Sequence, residues 1–429
     1  MLSSRSLNLL LLKQTFALLI LLFGVMACSP NAANTDELQT QQHVPIDIRQ
    51  GTRFFKVTEK HFKAPKVSEI TLPIPADGAA IWGATGRDRA GNIYVGVSTY
   101  KKEDRTAYLF QHNPETGTTS LHGDVLSQLK RLDIFRPGMG QSKLHSKFYQ
   151  ANDGYIYFSS FDEQGETGEI NPQWGGHLWR KLPASVEWEH VLASEEALIA
   201  VNTTGRYIYS LGYWDHVLYQ YDTISGSIKK VAVGSVSGHI SRNFLVDINE
   251  HAFVPRVSYN QFEEIETHLI EYDEHLNEVA KYPMPEYHDK KMRMHHGIVG
   301  YTPMANGDIF FTTSKGNLYQ LKLDASSDDK LVSLGYFHPQ GEAYIPSLFS
   351  VDGQNFVFGV ASTKGDKQRT WLIRETQSNV NVSYPFPDTP IKSLLYGTLT
   401  VDNNGSFYIV GTDVSNSKKH RPVVFRLSY

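Results

Sequence analysis

Gly154-Tyr155-Ile156-Tyr157-Phe158 is a turn residue followed by a short aromatic run that favours a strand. The same signal recurs at Gly91-Asn92-Ile93-Tyr94-Val95, Gly205-Arg206-Tyr207-Ile208-Tyr209, Gly307-Asp308-Ile309-Phe310-Phe311, Gly353-Gln354-Asn355-Phe356-Val357-Phe358 and Gly405-Ser406-Phe407-Tyr408-Ile409. In the fourth place His251 replaces the glycine, ahead of Ala252-Phe253-Val254. The leading residues are 63, 51, 46, 56, 46 and 52 positions apart. A period near fifty with aromatic strands is the mark of a β-propeller, one blade per repeat. The expected fold is therefore all-β, a seven-bladed propeller with four-stranded blades. Such a ring collects its working residues at the mouth of a central channel.

Around this signal each repeat reads as four strands running outward. The third strands echo one another in Tyr108-Leu109-Phe110, His177-Leu178-Trp179, Val217-Leu218-Tyr219 and Asn317-Leu318-Tyr319. Turns such as Pro114-Glu115-Thr116-Gly117 and Thr223-Ile224-Ser225-Gly226 then lead to the fourth strand. First strands are expected over Lys143–Ala151, His239–Asp247 and Ser393–Val401. The last repeat ends at Pro422–Tyr429, one strand short, while Val67–Pro73 stands ahead of the first repeat as a spare. Pairing the two closes the ring and covers an exposed edge.

The 429 residues are 41% hydrophobic and 20% charged, a globular composition, and Tyr and Phe number 23 and 22. With a net charge of −4 there is no basic excess for nucleic acid, and none is expected as a partner. Arg5 and Lys13 precede an apolar run from Phe16 to Met26, too short to span a bilayer comfortably. It ends in Val25-Met26-Ala27-Cys28, which resembles the lipobox of bacterial lipoproteins. That resemblance implies a signal peptide over 1–27, cleavage before Cys28, and acylation of Cys28, palmitate included. Ser29 after the cysteine implies outer-membrane sorting, facing the periplasm or the cell surface. Residues 28–55 read as a flexible tether and 56–429 as the propeller, a monomer. Cys28 is the one cysteine, so no intramolecular disulfide forms.

In a propeller the connections into first strands and between second and third strands open on one face. Leu144-His145-Ser146-Lys147 opens the second repeat there, and Trp174-Gly175-Gly176-His177 arrives by a long loop, so His145 and His177 are expected close together. Leu211-Gly212-Tyr213-Trp214-Asp215-His216, Gly238-His239-Ile240-Ser241-Arg242-Asn243 and Val254-Pro255-Arg256-Val257-Ser258-Tyr259 follow in the next two repeats. Basic and aromatic groups thus gather on repeats two to five. The mixture suits an anionic sugar: arginine forks a carboxylate, and rings stack on a pyranose face.

Leu144-His145-Ser146-Lys147, Gly175-Gly176-His177-Leu178 and Ser241-Arg242-Asn243-Phe244 resemble segments of the propeller-type polysaccharide lyases, the ulvan lyases in particular. The resemblance implies β-elimination at a uronic-acid linkage, with ulvan as the polymer. It implies His145 and His177 as catalytic histidines and Arg242 as the group that neutralises the carboxylate. Tyr213 is assigned the acid by its place in the repeat. Lys147, Trp174, His239, Arg256 and Tyr259 are expected to bind substrate. The chemistry stands without the name: neutralising the carboxylate stabilises the enolate-like intermediate, a base takes the C5 proton, and an acid protonates the leaving oxygen.

Other readings stay open at this stage. One is a non-catalytic glycan- or protein-binding propeller at the membrane; another is an outer-membrane assembly scaffold. No organic cofactor is expected. A divalent ion, zinc or calcium, would be held by His295 and His296. The chain carries no Walker loop, dinucleotide fingerprint or nucleophile elbow.

Overall fold

The strands fall into repeated up-and-down antiparallel meanders. In the computed structural model, residues 46–47, 52–100, 104–164, 170–236, 238–287, 297–362, 369–378, 380–387, 393–396, 400–416 and 419–429 are described. The proposed signal peptide, Cys28, His295 and His296 lie outside them. The chain divides at His43, and the unit Val44–Tyr429 carries all the described residues. Three sheets show the plan. Ala197–Asn202, Tyr207–Tyr213, Val217–Asp222 and Ile228–Ala232 form one. Ile298–Pro303, Ile309–Thr313, Asn317–Leu321 and Leu331–Tyr336 form another. Tyr344–Phe349, Phe356–Ser362, Thr370–Glu375 and Asn381–Pro385 form the third. Second strands such as Ile93–Val97 and Ile309–Thr313 are buried throughout, whereas Ile228–Ala232 is mostly exposed. That gradient explains why the apolar run marks the second strand of each repeat: it is covered on both faces.

The first two meanders are joined. Thr85–Arg87 pairs in parallel with Phe148–Gln150, merging them into one nine-stranded sheet. A Cβ at Gly86 would stand 2.1 Å from the Phe148 carbonyl oxygen, so glycine permits this approach. At the other end Lys66–Ile70 pairs in antiparallel register with Arg421–Ser428, Lys66 opposite Ser428 and Ile70 opposite Val424.

Apolar clusters lie between consecutive meanders. Leu144, Phe148, Phe158 and Trp179 meet Tyr94 and Leu109 between the first two. Tyr149, Tyr157 and Leu178 meet Leu198 and Ile208 next. Others follow around Leu211 with Val254, Phe253 with Phe311, Phe310 with Leu372, and Phe358 with Ile409. One more joins Ile81, Val95 and Phe110 to Tyr408, Val410 and Val424, packing the first meander on the last. Sheets packed face to face in series, with first strands meeting inside, make a β-propeller.

The turns between first and second strands carry an aspartate. Asp88 accepts from the Asn92 amide and the Tyr94 hydroxyl, at 2.9 and 3.1 Å. Asp402 accepts from the Asn404 and Ser406 amides and the Tyr408 hydroxyl, at 2.8, 2.9 and 3.0 Å. Asp153 bonds Tyr157 at 2.7 Å. The tyrosine of the repeat signal is thus anchored to its own turn.

Two expectations about elements change. Val125–Arg131 is a helix, capped by Asp124 accepting from the Ser127 amide at 3.0 Å, in a chain read as strands alone. Val125, Leu126 and Leu129 turn its apolar face inward. The fourth first strand is only Leu245–Val246, and that of the second repeat breaks into Lys143–Leu144 and Phe148–Gln150.

Candidate functional site

The broken first strands supply the site. Between Lys143–Leu144 and Phe148–Gln150, the Lys147 ammonium sits 3.3 Å from the centre of the Tyr301 ring, on a strand two repeats onward from its neighbour. The hydroxyls of Tyr149 and Tyr301 hydrogen-bond beside it. The Arg242 guanidinium lies 5.3 Å from the Tyr396 ring, and the Trp82 ring centre is 4.9 Å from that of Tyr396. The Lys143 ammonium is 5.2 Å from Trp82 and 5.6 Å from Phe161, and pairs with Glu163 at 3.0 Å. Lys143 and Arg242, remote in sequence, thus meet across the Trp82–Tyr396 pair, and Lys147 lies on Tyr301.

Lys147 differs electrostatically from Lys143. No carboxylate faces its ammonium among the described residues, and burial pulls its proton affinity well below the usual lysine range. Burial raises that of the Tyr396 hydroxyl, against the Arg242 charge. Cation–π contacts contribute about 0.5–2 kcal/mol each, less than a desolvated charge costs. An anionic ligand would supply the missing counter-charge.

His145 and His177 belong to one sheet. Ser160 pairs with Leu144 on one side and with His177 on the other. Strand alternation then separates the imidazoles. His145 packs 6.3 Å from Phe161, on the face that also carries Lys143. His177 shares the opposite face with Trp179, whose indole nitrogen donates to Ser160 at 2.9 Å. His177 Nδ1 is 2.9 Å from His190 Nε2, while its own Nε2 is buried without a partner. Burial, then the neighbouring His190, pushes the His177 imidazole down to about 3, so it stays neutral.

The loop reaching His177 is held from both ends. Gln141 donates to the Trp174 and Gly175 carbonyls at 3.3 and 3.1 Å, and the Trp174 amide reaches Asp162 at 3.4 Å. Gly175 has φ +56°, and a Cβ there would be 1.8 Å from the Ser194 carbonyl oxygen, so no other residue fits. Trp174 itself packs half-buried on the core between the first two meanders.

Tyr213 is buried. Its hydroxyl donates to the Ser241 carbonyl and accepts from the Ser241 amide, and burial raises its proton affinity. His216 Nε2 meets the His239 carbonyl at 2.6 Å. His239 bonds Ser235 at 2.7 Å and Tyr287 at 2.8 Å. This chain fixes the backbone that leads into Arg242. Arg256 pairs with Glu278 at 2.7 Å and with Tyr272 at 2.9 Å, far from the cation cluster in its contacts. Tyr259 is exposed at a strand end.

Sequence reasoning did not select Trp82, Lys143, Phe161, Tyr301 or Tyr396. One signal was available: Lys143 brackets the same Leu144-His145-Ser146-Lys147 segment. Beside Phe161 lies a small hollow of about 20 Å³, lined by Asp162, Ile199, Tyr213, Trp214 and Ile240 among others. Among the described residues, no group of three or more His, Cys, Asp or Glu side chains is placed to hold a metal ion.

No family model matches the chain, and no curated protein matches it. Solved structures do. U3-55K is similar at 10% identity and TM-score 0.50, over 85% of this chain and 100% of that one. A fungal alcohol oxidase in complex with copper is similar at 14% identity and TM-score 0.49, over 85% and 77%. A PL25 ulvan lyase is similar at 10% identity and TM-score 0.45, over 85% and 94%. The first shares the fold; none of the three bears on activity.

Proposed function

We propose that the protein is a seven-bladed propeller, closed by Lys66–Ile70 against the last strand, that cleaves an acidic polysaccharide by β-elimination. The observation that carries the reading is Lys147: a half-buried cation on the Tyr301 ring with no carboxylate partner among the described residues. A uronate carboxylate supplies what that site lacks. In this reading Arg242 and Lys147 neutralise the carboxylate, which stabilises the enolate-like intermediate. His145 takes the C5 proton. The electron pair forms the C4–C5 double bond and the C4–O4 bond breaks. Lys147, whose proton burial loosens, returns a proton to O4. His177 and Tyr213 then position the loops, because each is already hydrogen-bonded inside the fold. Ulvan is the polymer proposed first, and acylation at Cys28 would hold the enzyme at a bacterial outer membrane.

The engagement of Tyr213 and His177 also favours a second reading, a propeller that captures acidic glycans without cutting them. One experiment separates the two. The protein is incubated with ulvan and other uronate polymers while absorbance of the new double bond is followed, alongside His145→Ala and Arg242→Ala. The lyase predicts absorbance that both variants abolish. Binding with no absorbance leaves capture, and neither signal on any uronate polymer removes both readings.

A further inference from the structure

Three turns meet where the first meander packs on the last. Turns 88–92 and 113–118 belong to the first, and turn 402–406 to the last. Strand direction alternates in a meander, so these turns stand at the opposite strand ends from the loop that reaches His177. Between them lies a cleft of about 150 Å³, lined by Asn92, Asn113, Pro114, Glu115, Asn403 and Asn404 among others. A cavity of that size holds one six-membered ring. Asn92, Asn113 and Asn403 are half-buried and Glu115 and Asn404 exposed, so the cleft opens to solvent.

Its polar groups are set by the fold beneath. The fully buried Arg87 donates to the Val401 carbonyl at 2.8 Å and to Asn403 Oδ1 at 2.7 Å, and Asn403 Nδ2 donates to the Ala90 carbonyl at 2.9 Å. Gly91, at φ +96°, makes room for this amide: a Cβ there would stand 2.5 Å from Asn403 Nδ2. Asn92 Nδ2 is spent on Asp88 at 2.8 Å, which leaves its Oδ1 as an acceptor. Asn113 Oδ1 accepts from the Glu115 and Thr116 amides at 2.9 and 3.1 Å, which leaves its Nδ2 as a donor. The Asn404 side-chain amide and the Glu115 carboxylate have no partner among the described residues.

We infer that this cleft binds an uncharged, hydroxyl-rich sugar unit, at a site separate from the cations. A sugar hydroxyl both donates and accepts, and the cleft offers donors and acceptors side by side. An anion needs donors alone; it would face the Glu115 carboxylate, and no lysine or arginine lines the cleft among the described residues. A hard cation needs oxygen ligands alone, and would meet amide N–H groups and a single carboxylate. Both meanders contribute, so the site forms only when the first packs on the last. It stands whether or not the cations take an acidic polymer.

The test titrates the protein with methyl glycosides of neutral hexoses and pentoses, followed by saturation-transfer NMR. At least one should bind, and methyl glucuronide should displace it only at about fivefold or higher excess. Asn404→Ala should weaken the neutral glycoside about fivefold or more. Glu115→Gln should make methyl glucuronide the better competitor. Both side chains are exposed and carry no bond that holds the fold, so both variants fold. Binding of uronate polymers should be unchanged in Asn404→Ala. The site is overturned if no neutral glycoside binds, if Asn404→Ala leaves its binding intact, or if methyl glucuronide displaces it at equal concentration. Loss of uronate-polymer binding in Asn404→Ala overturns it too, because the cleft would then serve the ligand of the cations.

Discussion

Burial disfavours the charged form of the half-buried Lys147 amine, and an apolar side chain there would cost less. A desolvated ammonium without a carboxylate is a destabilising element, retained at sites that need it. Lys147→Met should therefore raise stability by roughly 1 kcal/mol or more at pH 7, and weaken binding of an acidic polymer about tenfold or more. Denaturant unfolding and calorimetry check the two halves. Loss of binding alone would make the residue an ordinary surface contact. Buried titratable groups also set the pH response. Burial lifts the Glu196 carboxyl to about 7 from 4.5, while its oxygens accept from the Val217 amide and the Tyr219 hydroxyl. The folded state then holds a proton that the unfolded state has released. This stabilising term is complete below pH 4.5 and is lost as pH rises through 7. Glu196→Gln should be the more stable protein at pH 8, by roughly 2 kcal/mol. His177 acts in the opposite direction. Its folded value near 3 lies below 6.5, so the unfolded state takes the proton first and stability falls as pH drops from 6.5 through 3. His177→Gln should flatten, without abolishing, the acid limb, because burial also lowers His112, His122 and His216.

At the scale of the element, the repeat signal is a bonded unit. Asp402 is fully buried and serves two amides and the Tyr408 hydroxyl. Asp402→Ala would leave those donors unmet and should cost about 2–3 kcal/mol in chemical denaturation. This unit made the second and third strands legible: Tyr207–Tyr213 and Val217–Asp222 start on the Tyr207-Ile208-Tyr209 and Val217-Leu218-Tyr219 runs read from the sequence. First strands were read less well. Lys143–Ala151 breaks at His145-Ser146-Lys147, His239–Asp247 shrinks to Leu245–Val246, and Ser393–Val401 divides. For the first two the physical reason is shared. Around Lys147 and Arg242 the backbone leaves the ladder to aim long side chains at rings on distant strands. The helix Val125–Arg131 was missed although Asp124 and the spacing of Val125, Leu126 and Leu129 announce it. Cross-sheet partners such as Tyr301 and Tyr396 had no local signal, since only the fold brings them to the lysine and arginine.

For the whole molecule, the apolar clusters join each meander to the next, and the last of them joins Ile81 and Val95 to Tyr408 and Val424. Removing the chain through Leu72 would uncover the edge of Arg421–Ser428, with Val423, Phe425 and Leu427 beside it. The truncated protein should melt well below the full chain and associate through that edge, visible as larger species in size-exclusion chromatography. An unchanged melting temperature and a monomer would mean that the pairing adds little. The same pairing also sets a timetable. Lys66–Ile70 leaves the ribosome hundreds of residues before Arg421–Ser428 exists, so this strand is synthesised without its partner. Each intervening meander has local contacts to fold on as it emerges, but the seam is sealed only once Arg421–Ser428 has been made. During translation that waiting strand is the segment most in need of a chaperone.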